Sequence, residues 1–260
     1  MDIQDYNGKA WDQLVARKDK WTVAVDTDAI ARARQGDWRI QLTSAKTAPR
    51  EWFPDDLHGL KILCLASGGG QQGPLLAAVG ADVTVLDYSE AQLAQDRLVA
   101  ERENLDIATV RGDMRDLSCF ADESFDLMVN PCSNVFVQDV LPVWREASRV
   151  LKPGGILLAG FLNPLIFLFD LADYENGKLT VRHKIPYADI NDLPEAELKA
   201  LLLDDNKPVC FGHTLYDQLQ GQCEAGLAIT GFYEDSMGED DPLTGIIDVL
   251  VATRAVKLPG

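Results

Sequence analysis

From Leu60 onward the chain alternates short apolar runs with amphipathic segments, a rhythm that predicts a parallel β-sheet wound with helices. The apolar runs predict strands at Lys61–Ala66, Asp82–Asp87, Ile107–Arg111, Phe125–Asn130 and Ile156–Phe161. Between them helices are predicted near Gln71–Val79, Glu90–Arg102 and Val137–Val150, the last two with apolar residues at three- and four-residue spacing. Leu151-Lys152-Pro153-Gly154-Gly155 stops the last of these, because proline cannot continue a helix and glycine permits the turn. The chain closes with a helix near Leu215–Ala225, a strand at Leu227–Tyr233, an acidic loop through Asp241 and a strand at Ile246–Val256. Two strands joined by a loop form a hairpin, so one of them runs antiparallel.

Two stretches stand outside this rhythm. Residues 1–58 predict helical patches at Trp11–Arg17 and Thr27–Arg34, then a turn-rich segment holding Pro49 and Pro54, and read as an N-terminal helical extension. Residues 163–213, broken by Pro164, Pro186, Pro194 and Pro208 around a short helix at Glu195–Leu203, read as an insertion in the domain formed by 59–260. An insertion of this length is expected to cap a substrate site.

Charge narrows the class of partner. Over 260 residues, 24 basic and 41 acidic side chains leave a formal charge of −17, a field that repels phosphate backbones, so nucleic acid is not the expected partner. The first 50 residues oppose the trend, with nine lysines and arginines against seven aspartates. Five cysteines without a C-x-x-C pair indicate neither a disulfide framework nor a zinc site. No leader pattern precedes the extension, and the longest greasy run, Ile156 to Phe169, is interrupted by Asn163 and Pro164. A membrane span is therefore not expected, and a cytoplasmic setting is. The Glu239-Asp240-Asp241 run lacks calcium-loop spacing, and no metal site is expected.

The chemistry concentrates after the first strand. Ser67-Gly68-Gly69-Gly70-Gln71-Gln72-Gly73 opens a helix, so backbone N–H groups at a helix N-terminus face a closely approaching ligand. The next strand ends in Asp87, placed to accept hydrogen bonds from the hydroxyls of an adenosine ribose. Gly68-x-Gly70-x-x-Gly73 satisfies the dinucleotide fingerprint, so a nicotinamide-dependent oxidoreductase and an S-adenosylmethionine enzyme both remain open on the loop alone.

The segment Ile62-Leu63-Cys64-Leu65-Ala66-Ser67-Gly68-Gly69-Gly70 resembles the first motif of class I S-adenosylmethionine-dependent methyltransferases of the type 11 kind, with Asp87 matching their ribose-binding acid. Gly112-Asp113-Met114, Ser124-Phe125-Asp126-Leu127-Met128-Val129 and Leu151-Lys152-Pro153-Gly154-Gly155 resemble later motifs in the family's order across roughly 60–160. The resemblance implies a doubly wound Rossmann-like α/β fold, a seven-stranded sheet of order 3-2-1-4-5-7-6 with strand 7 antiparallel. It also implies S-adenosylmethionine held by Ala66, Ser67, Gly68, Gly70, Gln71, Asp87, Tyr88, Ser89, Gln92, Gly112, Asp113, Met114, Asn130 and Pro131. Within that set Asp113 would take the adenine amine and Met114 the ring face, while Ser67 and Gln71 would meet the amino-acid end. Two departures stand out: Cys64 replaces a frequent acid, and Ala66 replaces the usual first glycine.

The acceptor is less legible. Asn130-Pro131 resembles the start of an amine-methyltransferase motif that Cys132 and Ser133 break. Pro131-Cys132 resembles the nucleophile pair of cytosine C5-methyltransferases, and the same residues equally suit a plain pocket wall with Cys132 as a small hydrophobe. His183 and His213 are candidate general bases, to be weighed against structural roles. Trp11, Trp21, Trp38 and Trp52, with Phe161, Phe167, Phe169, Tyr174 and Tyr187, either line an apolar pocket or glue the appended segments to the core. A small-molecule methyl acceptor is the expected partner; the alternatives are the oxidoreductase and a cofactor-binding protein without an acceptor site.

Overall fold

The computed structural model describes residues 2–259. Among the described residues nine strands are present: β1 (Lys61–Leu65), β2 (Asp82–Asp87), β3 (Ile107–Arg111), β4 (Phe125–Asn130), β5 (Leu151–Leu162), β6 (Tyr187–Ala188), β7 (Phe211–Gly212), β8 (Leu227–Asp235) and β9 (Leu250–Lys257). Seven of them form one sheet of order β3-β2-β1-β4-β5-β9-β8, while β6 and β7 pair separately. The pairs from β3 through β5 are parallel, and β9 runs antiparallel to both β5 and β8. With β8 and β9 counted as sixth and seventh, this is the order implied by the resemblance.

The nine α-helices among the described residues are α1 (Ile3–Ala16), α2 (Thr27–Arg34), α3 (Gln72–Ala78), α4 (Glu90–Glu103), α5 (Leu141–Val150), α6 (Leu171–Glu175), α7 (Asp189–Asp192), α8 (Glu195–Lys199) and α9 (Gly221–Glu224). Their starts are chemically marked: Asp2 accepts from Gln4 N and Asp5 N, Asp26 from Ala29 N, and Ser89 from Gln92 N. Such a cap is worth about 1 kcal/mol.

Period-2 alternation sorts the β1 side chains onto two faces. Ile62 and Cys64 join Val83, Val85, Leu127 and Leu158 under α3 and α4, while Leu63 and Leu65 join Leu86, Met128 and Leu157 against Trp144 and Ala147 of α5. Each fully buried aliphatic side chain contributes about 1.5–3 kcal/mol. Trp144 is fully buried and its indole N–H donates to Asp217 O at 3.0 Å, so replacing it by alanine strikes this face hardest.

Several elements differ from the sequence expectation: α1 begins at Ile3 rather than Trp11, and β5 at Leu151 rather than Ile156. The helix predicted from Val137 begins at Leu141, because Val137 is extended and Pro142 suits a first helical turn; Asn134–Phe136 is a separate 3-10 turn. The last strand starts at Leu250 rather than Ile246. Ile246 and Ile247, 69% and 38% exposed, sit in a turn whose amides both donate to Leu243 O. The helices predicted at Glu195–Leu203 and Leu215–Ala225 each contain a stretch of wider π-helical turns, Ala200–Asp205 and Tyr216–Gln220.

The N-terminal residues are strapped down at several points. Asp12 accepts from Ser89 Oγ at 2.6 Å and Ala91 N at 3.0 Å, fixing α1 on the start of α4. Val25 N donates to Gly70 O at 2.9 Å, and a Cβ on Gly70 would meet Ala24 Cβ at 2.8 Å. Gly70 is thus needed for the close approach of the strap as well as for its φ of 71°. Farther on, Cys132 N donates to Leu42 O at 3.2 Å, and Leu42 O lies only 1.9 Å from where a Cβ on Gly160 would stand. Residues 163–213 pack on the outer side of α1. Asn7 exchanges bonds with Val209 O and N, and Tyr6 donates to Leu202 O.

Candidate functional site

A cavity of about 500 Å³ opens beyond the carboxyl ends of β1, β2 and β4, where the strand order reverses. Its floor is the glycine loop with the β2–α4 turn. Its roof is the N-terminal segment, through Asn7, Trp11, Trp21 and the stretch Gln41–Ser44.

The floor is held by carboxylates. Asp87 accepts from Gly68 N through Oδ2 and from Ser89 N through Oδ1, both at 2.9 Å. Burial pushes its pKa up to about 6 against the pull of those hydrogen bonds. Behind the loop Asp96, wholly buried in α4, accepts from Gly69 N at 3.0 Å through Oδ2, while its Oδ1 has no partner; burial pushes it up to about 7. Sequence reading missed Asp96. The available signal was an acid in register with Leu93 and Val99 on the buried stripe of α4. Two polar atoms on the cavity wall, Ser67 Oγ and Gln92 Oε1, are also buried without partners, at a cost of about 1–3 kcal/mol each until something bonds them.

Of the residues expected to hold the cofactor, Ala66, Ser67, Gly68, Gln71, Asp87, Tyr88, Ser89, Gln92, Gly112, Met114 and Pro131 line the cavity. Gly70, Asp113 and Asn130 do not. Gly70 supports the N-terminal strap, and Asp113 is drawn away by Arg115, whose guanidinium holds both carboxylate oxygens at 2.6–3.1 Å. Asn130 is fully buried and spends its amide N–H groups on Leu65 O at 3.0 Å and Ser133 Oγ at 2.8 Å, tying β4 to β1. Gln71 donates to Trp21 O and Val23 O, so its amide nitrogen serves the roof.

The candidates for acceptor chemistry scatter. Cys132 lines the cavity beside Pro131 and Ser133, yet burial pushes its thiol up to about 12, which keeps it protonated and unlike an attacking thiolate. His213 is buried outside the cavity against Asn134 O at 3.0 Å, and burial lowers its pKa. His183 packs on the Tyr187 ring, also outside it. None of the described residues in 163–213, the segment expected to cap the site, lines the cavity. Among the aromatics, Trp11 and Trp21 line it, whereas Trp38 packs on Phe53 and Trp52 on Tyr233. Phe161 is core, and the remaining four pair as Phe167–Tyr187 and Phe169–Tyr174. Among the described residues no cluster of His, Cys, Asp or Glu could hold a metal, and no helix is long and apolar enough to cross a membrane.

The roof has an anchor that sequence reading also missed. Asp235, 1% exposed at the end of β8, accepts from Thr43 Oγ1 at 2.7 Å, Ala45 N at 2.9 Å and Lys46 N at 2.8 Å. Burial alone would raise its pKa, but these bonds and one from Ser236 N outweigh it and hold the carboxyl below its usual range. Its partners lie some 190 residues earlier, out of reach of any local pattern.

Comparison with known proteins adds to this geometry. Residues 63–159 match a family described as a methyltransferase domain. The chain is 55% identical over 253 residues, 97% of its own length and 98% of the other's, to the uncharacterized methyltransferase YbaJ of Bacillus subtilis. A ubiquinone biosynthesis O-methyltransferase of Dinoroseobacter shibae is 36% identical over 110 residues, covering 42% of this chain and 44% of that one. In fold, the chain is similar to an S-adenosylmethionine-dependent methyltransferase from Mesorhizobium loti, with a TM-score of 0.60, 21% identity and coverage of 80% and 94%.

Proposed function

This chain belongs to the class I S-adenosylmethionine-dependent methyltransferases, and from that premise we propose that it methylates a small molecule held in the cavity between the glycine loop and the N-terminal roof. The carrying observation is the continuity of that cavity, which joins a polar floor around Asp87 to an apolar chamber walled by Trp11, Leu42, Phe136 and Leu162. The family sets aside the nicotinamide reading left open by the fingerprint. The printed name of the Dinoroseobacter relative, an O-methyltransferase of ubiquinone biosynthesis, supports a small-molecule acceptor.

The residues present fit the cofactor. Asp87 has lone pairs left for ribose hydroxyls after serving Gly68 and Ser89. Ser67 Oγ and Gln92 Oε1 are buried, on the wall and unbonded. Gly112 and Met114 offer a flat, polarizable surface to the adenine ring. When bound, S-adenosylmethionine supplies a methyl group on a sulfonium, ready for in-line displacement. The chain's part is to align the acceptor and keep the chamber dry, effects that need no covalent intermediate on the protein.

Calorimetry with S-adenosylmethionine and with a nicotinamide dinucleotide tests the reading on the wild type and on Asp87→Ala. Micromolar S-adenosylmethionine affinity, weakened by about 1–3 kcal/mol in the variant, is expected. Preference for the dinucleotide would overturn it.

A further inference from the structure

Transfer to a neutral hydroxyl, thiol or protonated amine leaves a proton that some group must accept. The titratable side chains lining the cavity are Lys20, Arg39, Asp87, Tyr88 and Cys132. Asp87 stands on the floor with one backbone amide on each oxygen, and on the reading above its remaining lone pairs are taken by the ribose hydroxyls of the cofactor. The Tyr88 hydroxyl donates to Asp5 at 2.6 Å, and the Cys132 thiol is held protonated; both are donors, not bases. Asp235, the carboxylate behind the wall, is filled by Thr43, Ala45 and Lys46. The other polar wall residues, such as Gln4, Asn7, Gln41 and Thr43, carry amides or hydroxyls without useful basicity. Among the described lining residues, no group is therefore left, once the cofactor is bound, to take a proton from an acceptor.

The cations complete the picture. Lys20 and Arg39 line the cavity yet are exposed, which puts them at its mouth. No ion pair is formed by either among the described residues, in a chain of net charge −17. Lys20 Nζ rests over the Trp21 ring at 4.8 Å, and Trp11 meets Phe136 edge to face at 5.2 Å, so the walls below suit a planar ring.

We propose, resting on the methyl-transfer reading above, that the acceptor is an aromatic compound whose oxygen or sulfur nucleophile is already ionised when it binds: a phenolate or aryl thiolate. Its lone pair forms the bond to the methyl carbon, and the carbon–sulfonium bond breaks with its electron pair returning to sulfur. An anion and a cation become two neutral products, no proton is released, and a dry site favours the annihilation of charge. Lys20 and Arg39 draw the anion to the mouth, and the acceptor's own acidity takes the place of a base.

The test uses the full chain, S-adenosylmethionine and a series of para-substituted phenols and thiophenols with graded acidity, beside benzyl alcohol and benzylamine. For each ionisable acceptor, kcat/KM should rise with pH and level at that compound's own pKa, with no turnover of the alcohol or amine. A single break shared by the whole series would reveal a base on the protein and overturn the proposal, as would methylation of benzyl alcohol. Lys20→Gln with Arg39→Gln should raise KM for the anions about tenfold with kcat little changed; an unchanged KM would overturn the steering role. Cofactor affinity measured on the same preparation separates the two readings. S-adenosylmethionine binding without turnover of any member overturns the acceptor class alone, whereas loss of that binding overturns the methyl-transfer reading itself.

Discussion

The floor of the cavity is closed by hydrogen bonds between residues 2 to 27 apart, Ser89 N to Asp87, Gly68 N to Asp87 and Gly69 N to Asp96. The roof is closed by bonds between residues about 190 to 200 apart, Thr43, Ala45 and Lys46 to Asp235 and Asn7 to Val209. The floor can therefore assemble with the β1–α3–β2–α4 unit that contains it, while the roof exists only once both ends of the chain have met the sheet. On the function proposed above, cofactor recognition rests on the first kind of structure and acceptor recognition on the second. The two functions should be separable by mutation.

Asp235→Ala is the sharpest cut. It removes the shared acceptor of Thr43 Oγ1, Ala45 N and Lys46 N, and bonds to a charged group are worth about 1.5–3 kcal/mol each before the loop relaxes toward water. A net loss of about 3 kcal/mol in urea unfolding is expected, with S-adenosylmethionine affinity close to wild type and acceptor turnover lost. Equal damage to cofactor affinity would show that floor and roof are one cooperative unit.

The same contrast explains what the sequence could say. The succession of strands and helices and the glycine turn after β1 follow from alternation and turn chemistry within stretches of about 30 residues, the strand order is what the resemblance implies, and these expectations match the fold. Asp113 lies off the cavity wall because Arg115, two residues on, holds the same carboxylate with its guanidinium. The 163–213 insertion was given the capping role because it is long and proline-rich. Neither property says which side of α1 it packs on, and the Asn7–Val209 and Tyr6–Leu202 contacts that decide this are long-range. Trp11 and Trp38 look alike in sequence; only the fold sends one to the cavity and the other to Phe53.

A second, smaller effect probes the floor from behind. In an unfolded chain an aspartate ionises at about pH 3.9, whereas Asp96 keeps its proton to about 7 and Asp87 to about 6. Between those values the folded state binds more protons than the unfolded one, so stability falls as pH rises, by up to about 1.4 kcal/mol per pH unit for each proton. Asp96→Asn keeps an acceptor for Gly69 N and abolishes one titration. Its unfolding free energy should decline less steeply than the wild type between about pH 4 and 7. Curves that run parallel would mean that Asp96 is ionised throughout and stabilised by the loop amides.

The smallest effect concerns strain within the floor. Ala66, where the family resemblance implies glycine, adopts a φ of 46°, and its N–H donates to Leu86 O at 2.7 Å, which fixes the bend from β1 into the loop. A Cβ in this left-handed region costs roughly 1–2 kcal/mol, while glycine would return part of that gain through a freer unfolded chain. Ala66→Gly should therefore stabilise by about 0.5–1 kcal/mol, a rise of about 2 °C in Tm. It should leave acceptor KM unchanged, because the roof does not rest on this residue. A fall in Tm would show that the Ala66 methyl, packed against the Leu65 side of the core, contributes more than the bend costs.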